Sequence, residues 1–210
     1  MFLNKTYINY DTIIILLFLL FMGQICHHTT ENWGNKEVLK KDGPVYGTGV
    51  DNYFGPGYYF WDNNLSHAQW WGRKQYNGNY YVFEADLEID KNRMFDTTDR
   101  NDIDYLKRTL AEFTDNDVDL TDFYLGTVLS LLLDEEQKSG KVYFPYLYAK
   151  GVDDNAKKNV KIEFNPSMLF SERAKSAFFL NPVVFFCIFR KENVNLRSFS
   201  LVSEQGSSIK

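Results

Sequence analysis

Between residues 80 and 89, apolar side chains fill every second position from 81 to 87, with Glu84, Asp86 and Glu88 among the residues between them. Successive side chains of a strand point to opposite faces, so this alternation predicts a strand with a buried face. Residues 183–189 are an unbroken apolar run between Pro182 and Arg190, a pattern typical of a strand covered on both faces.

A helical period appears in the middle of the chain, at residues 120–137. Its apolar positions recur at the i, i+3, i+4, i+7 spacing of one buried helix face. They are Leu120, Phe123, Tyr124, Thr127, Val128, Leu131 and Leu132.

Periodicity and turn residues predict the remaining elements. Further strands are expected at 21–27, 58–61, 94–95, 160–164 and 196–202, an extended segment at 142–148, and further helices at 32–41, 65–73 and 102–113. Strands dominate both ends of the chain and helices the middle, so the sequence predicts a single α+β domain.

The N-terminal region contains an apolar run at 13–22, which extends through residue 26 with few polar positions. A membrane-spanning helix needs about 20 apolar residues, and no small-residue cleavage signal follows the run. Three interpretations remain open: a short membrane anchor through residues 13–26, an uncleaved signal, or a buried segment leading into the first strand. We divide the chain into an apolar segment at 1–22 and a domain at 23–210.

The cellular location of the domain depends on which of these interpretations of the apolar segment holds. If the segment spans a membrane, the lysines that follow it outnumber the lone Lys5 and predict a domain facing the cytoplasm. If the segment is buried in the fold, we expect a cytoplasmic protein.

Composition narrows the class of protein. The chain has 210 residues, enough for one domain with a sizeable core, and is rich in aromatics, with 18 Phe, 14 Tyr and 4 Trp. Its formal net charge of −5 argues against nucleic acid as a main partner. Cys26 and Cys187 lie in apolar runs and are predicted to be buried free thiols. Two histidines follow Cys26, but no second ligand pair at metal spacing follows, so we predict no metal site.

Three short motifs combine residue types that suit a nicotinamide nucleotide. Tyr59 and Trp70 would hold the flat ring between them, a stacking worth ~0.5–1.5 kcal/mol beyond area burial. The imidazole of His27 would bond a ribose hydroxyl, and glycines let the backbone pass close to a ligand. The motifs are His27-His28-Thr29, Gly55-x-Gly57-x-Tyr59-Phe60 and Ala68-x-Trp70. Each residue alone is more often structural, and only their joint spacing favours a site.

These motifs resemble the histidine–tyrosine branch of the ADP-ribosyltransferase superfamily, which contains diphtheria toxin and the poly(ADP-ribose) polymerases. In those polymerases a His-Gly-Ser strand precedes a Phe-Gly-x-Gly-x-Tyr-Phe-x-Asp segment, and residues 54–71 match that segment and the helix after it without a gap. The resemblance covers residues 24–71 and returns faintly at 181–202. It implies an ADP-ribosyltransferase-like domain with split, mostly antiparallel sheets and flanking helices. It also implies that NAD, as substrate, contacts His27, His28, Thr29, Gly57, Tyr59, Phe60, His67 and Trp70.

The chain departs from the family pattern in the first two motifs. His28 stands where the family has glycine, His67 where the polymerases have serine, and Trp70 where they have tyrosine. A Tyr-Gly-Thr sequence at 46–48 mimics the histidine motif, but it lies too close to Phe54 for the intervening helix, so we interpret it as loop.

The third motif is the more serious departure. The family's glutamate begins a late core strand, and here that position falls near Val184 or Phe185, both apolar. Glu163 and Glu172 are the fallback carboxylates. Members without this glutamate are similar to mono-ADP-ribosyltransferases or to inactive relatives.

The leading hypothesis is therefore an NAD-binding domain that transfers a single ADP-ribose to an unknown protein or other acceptor, with His27, Tyr59 and Glu163 as catalytic residues. The alternatives are a catalytically inactive NAD or ADP-ribose binding module and a membrane-anchored structural or interaction protein. Substitution of His27 or Tyr59 by alanine is expected to abolish any effect of NAD.

Overall fold

The computed structural model describes residues 23–49, 52–113, 123–153, 167–169, 177–179 and 182–206. Within them the strands are β1 (Gln24–Glu31), β2 (Tyr58–Asp62), β3 (Tyr80–Leu87), β4 (Met94–Asp96), β5 (Tyr148–Val152), β6 (Ser167–Leu169), β7 (Ala177–Phe179), β8 (Val184–Ile188) and β9 (Leu196–Gln205). The helices are α1 (Lys36–Asp42), α2 (Leu65–Gln75), α3 (Arg100–Phe113) and α4 (Leu125–Ser139), with 3₁₀ turns at Lys91–Arg93 and Lys191–Asn193.

Seven of these strands form one sheet in the order β4-β5-β8-β2-β1-β3-β9, and β6 pairs with β7 separately. Neighbours in the large sheet are antiparallel except β4 and β5, which are parallel. The predicted α+β class and mostly antiparallel pairing are confirmed. The expected split into two sheets is wrong for the described strands, because β2 pairs with β1 on one edge and with β8 on the other and so joins the halves.

The sheet separates two cores, because its side chains alternate between the two faces. Trp61 and Cys187 point toward α2, α3 and α4, and we call this side the three-helix face. Phe60 and Phe186 point to the other side, where α1 packs through Leu39, and we call it the α1 face. Strand β8 is buried on both sides, as its unbroken apolar run predicted, and both cysteines are free and buried, also as predicted.

Helix α2 lies close against the sheet beside β1 and β3. It begins where the Asn64 side chain accepts a hydrogen bond from the His67 amide at 2.9 Å, which satisfies one of the free N–H groups of a helix start. Ala68 and Gly72, one turn apart, are buried against the sheet. A Cβ atom at Gly72 would overlap the Tyr80 ring, so the close approach requires glycine there.

Strand β1 is longer than predicted, and this changes the site. We expected it to end at His27, but its pairing with β3 continues to Glu31 opposite Tyr80. The Thr29 hydroxyl donates a hydrogen bond to the Ala68 carbonyl at 3.0 Å, which ties the strand to α2. Threonine suits a strand as well as a cap, and here the partner strand decides.

The segment before β5 is held by a side chain of α4. We expected an extended stretch at 142–148; residues 142–147 are neither helix nor strand, and strand pairing begins at Tyr148. The Glu136 carboxylate accepts hydrogen bonds from the amides of Tyr143 and Phe144, which directs this segment toward α4 instead of a neighbouring strand. Helix α4 begins at Leu125, later than predicted, and residues 114–122 lie outside the described residues.

The N-terminal predictions fall largely outside the described residues, which begin at Gly23. Among the helices that the structure does describe, none is long and apolar enough to span a membrane. The anchor proposed for residues 13–26 is wrong for residues 24–26, which pair with β3 as part of β1. For residues 13–22 it stays a prediction, as does the strand at 160–164.

Candidate functional site

A cleft of about 550 Å³ opens where β1 ends and β2 begins. Its volume falls in the range typical of small-ligand sites, roughly 300–1,000 Å³. Seven of its eighteen lining residues are aromatic. The lining consists of His28, Thr29, Thr30, Glu31, Trp33, Val45, Tyr46, Gly47, Thr48, Asn52, Tyr53, Gly57, Tyr59, Trp61, Trp71, Lys74, Gln75 and Tyr76.

The cleft exists because β1 and β2 stop pairing with each other before β1 ends. Their ladder reaches only His27 opposite Trp61, whereas the ladder between β1 and β3 continues to Glu31. Beyond His27, the edge of β1 that faces β2 therefore borders the cleft. Backbone amide and carbonyl groups on such an edge are strong hydrogen-bonding groups for a ligand.

His28 replaces the missing strand pairing with side-chain hydrogen bonds. Its Nδ1 lies 2.9 Å from the carbonyl oxygen of Tyr59, and its Nε2 accepts a hydrogen bond from the Val45 amide at 3.0 Å. The ring is therefore neutral, with Nδ1 donating. Burial is the main cause that lowers the pKa of His28 to about 4; the hydrogen bond to Tyr59 opposes this shift, and the nearby Lys191 ammonium adds to it. His28 lines the cleft and holds it open, and both of its ring nitrogens are already bonded to the protein.

Tyr59 forms part of the inner wall. Its hydroxyl donates a hydrogen bond to the Gly55 carbonyl at 2.6 Å and accepts one from the Phe54 amide at 3.0 Å. Burial is the main reason why the pKa of this phenol is raised far above its usual value. The hydroxyl thus anchors the loop before β2, and the ring is left to contact a ligand.

A pair of backbone hydrogen bonds holds the loop at 46–48 along the wall of the cleft opposite Tyr59. Gly47 and Gly57 exchange two amide-to-carbonyl hydrogen bonds of 2.8 and 2.9 Å. A Cβ atom at Gly57 would overlap the Cys187 sulfur, so only glycine allows β2 to lie this close to β8. Residues 46–48, interpreted from the sequence as plain loop, are lining residues for this reason.

Two other predicted site residues of the strands lie elsewhere. His27 is 3% exposed and points to the three-helix face, with Nε2 3.7 Å from the Glu84 carboxylate. Phe60 points into the α1 face. Neither is among the residues that line the cleft. His27 is too far back along β1, since the strand runs four residues beyond it; Thr29, two positions further on the same face, borders the cleft instead.

On α2, too, the residue that lines the cleft is a neighbour of the predicted one. Trp71 lines the cleft and lies 5.5 Å from the Trp61 ring, whereas Trp70, the predicted stacking residue, does not line it. Trp70 packs on His67 at 4.8 Å between ring centroids. His67 is 7% exposed, also contacts the Trp61 ring and lies 3.7 Å from the Asp153 carboxylate, so it is part of the protein interior.

The predicted position of a catalytic carboxylate is occupied by an aromatic ring. Phe185 begins the buried part of β8, 4.5 Å from the ring of Tyr53 and 6.4 Å from that of Tyr59. Glu163 and Glu172 lie outside the described residues. Among the described lining residues the one carboxylate is Glu31, which none of the three sequence motifs contains.

A larger depression of about 820 Å³ lies on the other side of Tyr46. Five of its eleven lining residues are charged, including Lys141, Arg190 and Glu192, and none of the described predicted site residues borders it. The smaller cleft, with its partly buried aromatic wall, is the better candidate for a specific ligand.

The anchoring role of Tyr59 predicts a selective effect of removing its hydroxyl. Tyr59→Phe leaves the buried Phe54 amide without its partner, and we expect the free energy of unfolding to fall by about 1–3 kcal/mol in urea denaturation. Tyr58→Phe is the matched control. The Tyr58 hydroxyl makes no hydrogen bond with a described residue, and we expect a loss of less than about 0.5 kcal/mol. Equal losses in the two variants would contradict the anchoring role.

Comparison with known proteins adds no identity: no family model, curated protein or solved structure matches this chain. The structure brings four of the predicted residues to one cleft, namely His28, Thr29, Gly57 and Tyr59. It leaves His27, Phe60, His67 and Trp70 outside. Trp71, Glu31 and Lys74 are among the lining residues that the motifs did not indicate.

Proposed function

We propose that this chain is an NAD-binding domain of ADP-ribosyltransferase type. The observation that carries the proposal is the aromatic cleft itself, in which Tyr59 and Trp71 lie on different elements around a space of about 550 Å³. Flat aromatic surfaces of this kind bind a heteroaromatic ring by stacking. The motif spacing around Tyr59 independently suggests the same ligand.

Each wall of the cleft would serve a different part of the dinucleotide. The ring of Tyr59 and the indole of Trp71 would contact the nicotinamide. Backbone groups of Thr29, on the edge of β1 released from β2, would bond its carboxamide. Gly57 keeps the wall opposite free of side chain. Uncharged His28 keeps the strands apart without placing a positive charge near the cationic nicotinamide.

If the domain is active, the reaction is transfer of a single ADP-ribose. The bond between the nicotinamide nitrogen and the ribose C1′ breaks, and its electron pair leaves with neutral nicotinamide. A nucleophile of the acceptor then bonds C1′ and loses its proton. Such a transition state carries positive charge on the ribose and is stabilised by a nearby carboxylate.

A second candidate is binding of NAD or ADP-ribose without turnover. Phe185 favours it, because an apolar ring fills the position near which the family's glutamate is expected. An apolar side chain there cannot stabilise a cationic ribose.

The decisive test compares two adjacent tryptophans of α2. Because Trp71 lines the cleft and Trp70 does not, we expect Trp71→Leu to abolish the effect of NAD and Trp70→Leu to preserve it. The full chain is heated with and without NAD, and melting is followed by circular dichroism. Saturation at 100 times the dissociation constant would add about 2.7 kcal/mol to the wild-type unfolding free energy.

The outcomes separate the candidates. Incubation with NAD labelled in its ADP-ribose part gives free nicotinamide or labelled acceptor if the domain is a transferase. Stabilisation without turnover would indicate a binding module. An absence of stabilisation and of turnover would contradict the proposal and leave an aromatic core in a structural protein. Equal loss of the stabilisation by NAD in both tryptophan variants would contradict the assignment of this cleft as the NAD site.

A further inference from the structure

The charged residues of the cleft are few and lie at one end. Glu31, the last residue of β1, is the only carboxylate among the described lining residues, and Lys74, in the last turn of α2, is the only ammonium. Neither forms an ion pair with another described residue, and the Lys74 ammonium instead lies 5.0 Å from the Trp70 ring centroid. Both charges are therefore available to a ligand.

The surroundings of Glu31 place it at the outer part of the cleft. Trp33, two residues further along the chain, is 65% exposed and also lines the cleft. Tyr76 follows α2 and lines the same end, and the pKa of its phenol is raised by burial and then by the charge of Glu31. Tyr59 and Gly57 form the inner end. A dinucleotide with its nicotinamide at Tyr59 therefore has its adenosine half toward Glu31.

A lone carboxylate at this end distinguishes two closely related ligands. An ionised carboxylate only accepts hydrogen bonds, and the 2′,3′-diol of an unmodified ribose offers two hydroxyl donors to it. A ribose carrying a 2′-phosphate offers an anion of about −1.5 to −2 charges at the same place. Charges of like sign at an unshielded contact repel, and such repulsion is a common source of specificity.

We propose that Glu31 binds the ribose diol of the adenosine half and thereby makes the cleft select NAD over NADP. This inference rests on the proposed function, since it assumes a nicotinamide dinucleotide in the cleft. Lys74, on the adjoining helix turn, lies at the same end and offers its charge to the pyrophosphate. The selectivity belongs to binding and does not depend on whether the domain turns NAD over.

The test measures the dissociation constants of NAD and NADP with the full chain by titration calorimetry. We expect wild type to bind NAD at least about tenfold more tightly than NADP. Glu31→Gln removes the charge and retains the shape, so the ratio should fall below about threefold, mainly because NADP binds better. Glu31→Lys should reverse the preference.

Glu37→Gln provides the matched control. Glu37 lies on α1, its side chain is 73% exposed, it pairs with Lys40 at 2.7 Å, and it does not line the cleft. The same loss of charge there should leave the ratio at the wild-type value. Equal affinity of wild type for the two dinucleotides, or an unchanged ratio in Glu31→Gln, would overturn the inference while leaving the proposed function intact. Failure of both dinucleotides to bind would instead contradict the proposed function.

Discussion

Acidification from pH 7.5 to pH 5 is expected to lower the free energy of unfolding by roughly 4 kcal/mol through two buried histidines. Burial is the main cause that lowers the pKa of His28 and of His67 to about 4, and for His67 it outweighs the opposing effect of Asp153. The unfolded value is about 6.5, so between pH 6.5 and pH 4 the unfolded chain binds more protons. Stability is therefore complete above pH 6.5 and is lost as the pH falls toward 4.

The measurement is urea denaturation at the two pH values, for wild type and for two single variants. His28→Gln and His67→Gln remove one titrating group each, and each should reduce the pH-dependent loss by about 2 kcal/mol. The third histidine of the chain, His27, also has its pKa lowered by burial, so His27→Gln should reduce the loss in the same direction. Equal stability of wild type at both pH values would contradict the prediction, as would an unchanged loss in all three variants.

Gly126→Ala is expected to destabilise the protein by about 3 kcal/mol, although the same exchange inside most helices stabilises by about 1 kcal/mol. Gly126 is in the first turn of α4, where the helix touches the loop before β2. A Cβ atom there would overlap the Asn52 carbonyl oxygen and the Gly55 amide nitrogen. Backbone atoms cannot rotate away as a side chain does, so the loop or the helix must move.

The consequences of this substitution extend to the cleft. Gly55 accepts the hydrogen bond of the Tyr59 hydroxyl, so a displaced loop should also weaken NAD binding. Thermal and urea unfolding followed by circular dichroism measure the stability, and calorimetry measures the binding. Asp134→Ala, at an exposed position of the same helix, is the control and should change stability by less than about 0.5 kcal/mol. A Gly126→Ala variant as stable as the control would show that α4 and the loop do not touch as described.

The sequence predicts a strand or helix well where the burial of one of its faces gives the apolar positions a clear periodicity. Strand β3 shows it by alternation and β8 by its unbroken apolar run. The stripe expected on α4 is correct for Val128 and Leu132, which are buried. It is wrong for Phe123, Tyr124 and Leu131, which are exposed, and it missed the buried Leu129. Each of these patterns is local, because it records which faces of one element are covered. The α+β class follows from their order along the chain.

The cleft is harder to predict because its position depends on contacts between distant residues. Whether β1 stops at His27 or continues to Glu31 is decided by pairing with β3, whose Tyr80 follows its partner Glu31 by 49 residues in the chain. That extension moves the end of the strand by four residues. It leaves His27 in the interior and brings Glu31 to the cleft.

The choice between the two tryptophans has a similar cause. Neighbouring residues on a helix point about 100° apart, so the rotation of α2 over the sheet determines which indole meets the cleft. Ala68 and Gly72, small enough for close contact with β3, set that rotation. The family pattern marks the position of Trp70 but carries no information about how this helix turns against Tyr80.

The direction of β1 has a practical consequence for handling the protein. The strand starts at Gln24 and reaches the cleft only at its other end, and eight extended residues cover about 25 Å. A fluorophore or a sensor surface coupled through Glu88→Cys, at the exposed position after Leu87, which is the β3 partner of Gln24, would thus lie at the opposite end of the strands from the ligand. Immobilisation by that route leaves the mouth beside Trp33 accessible to solution.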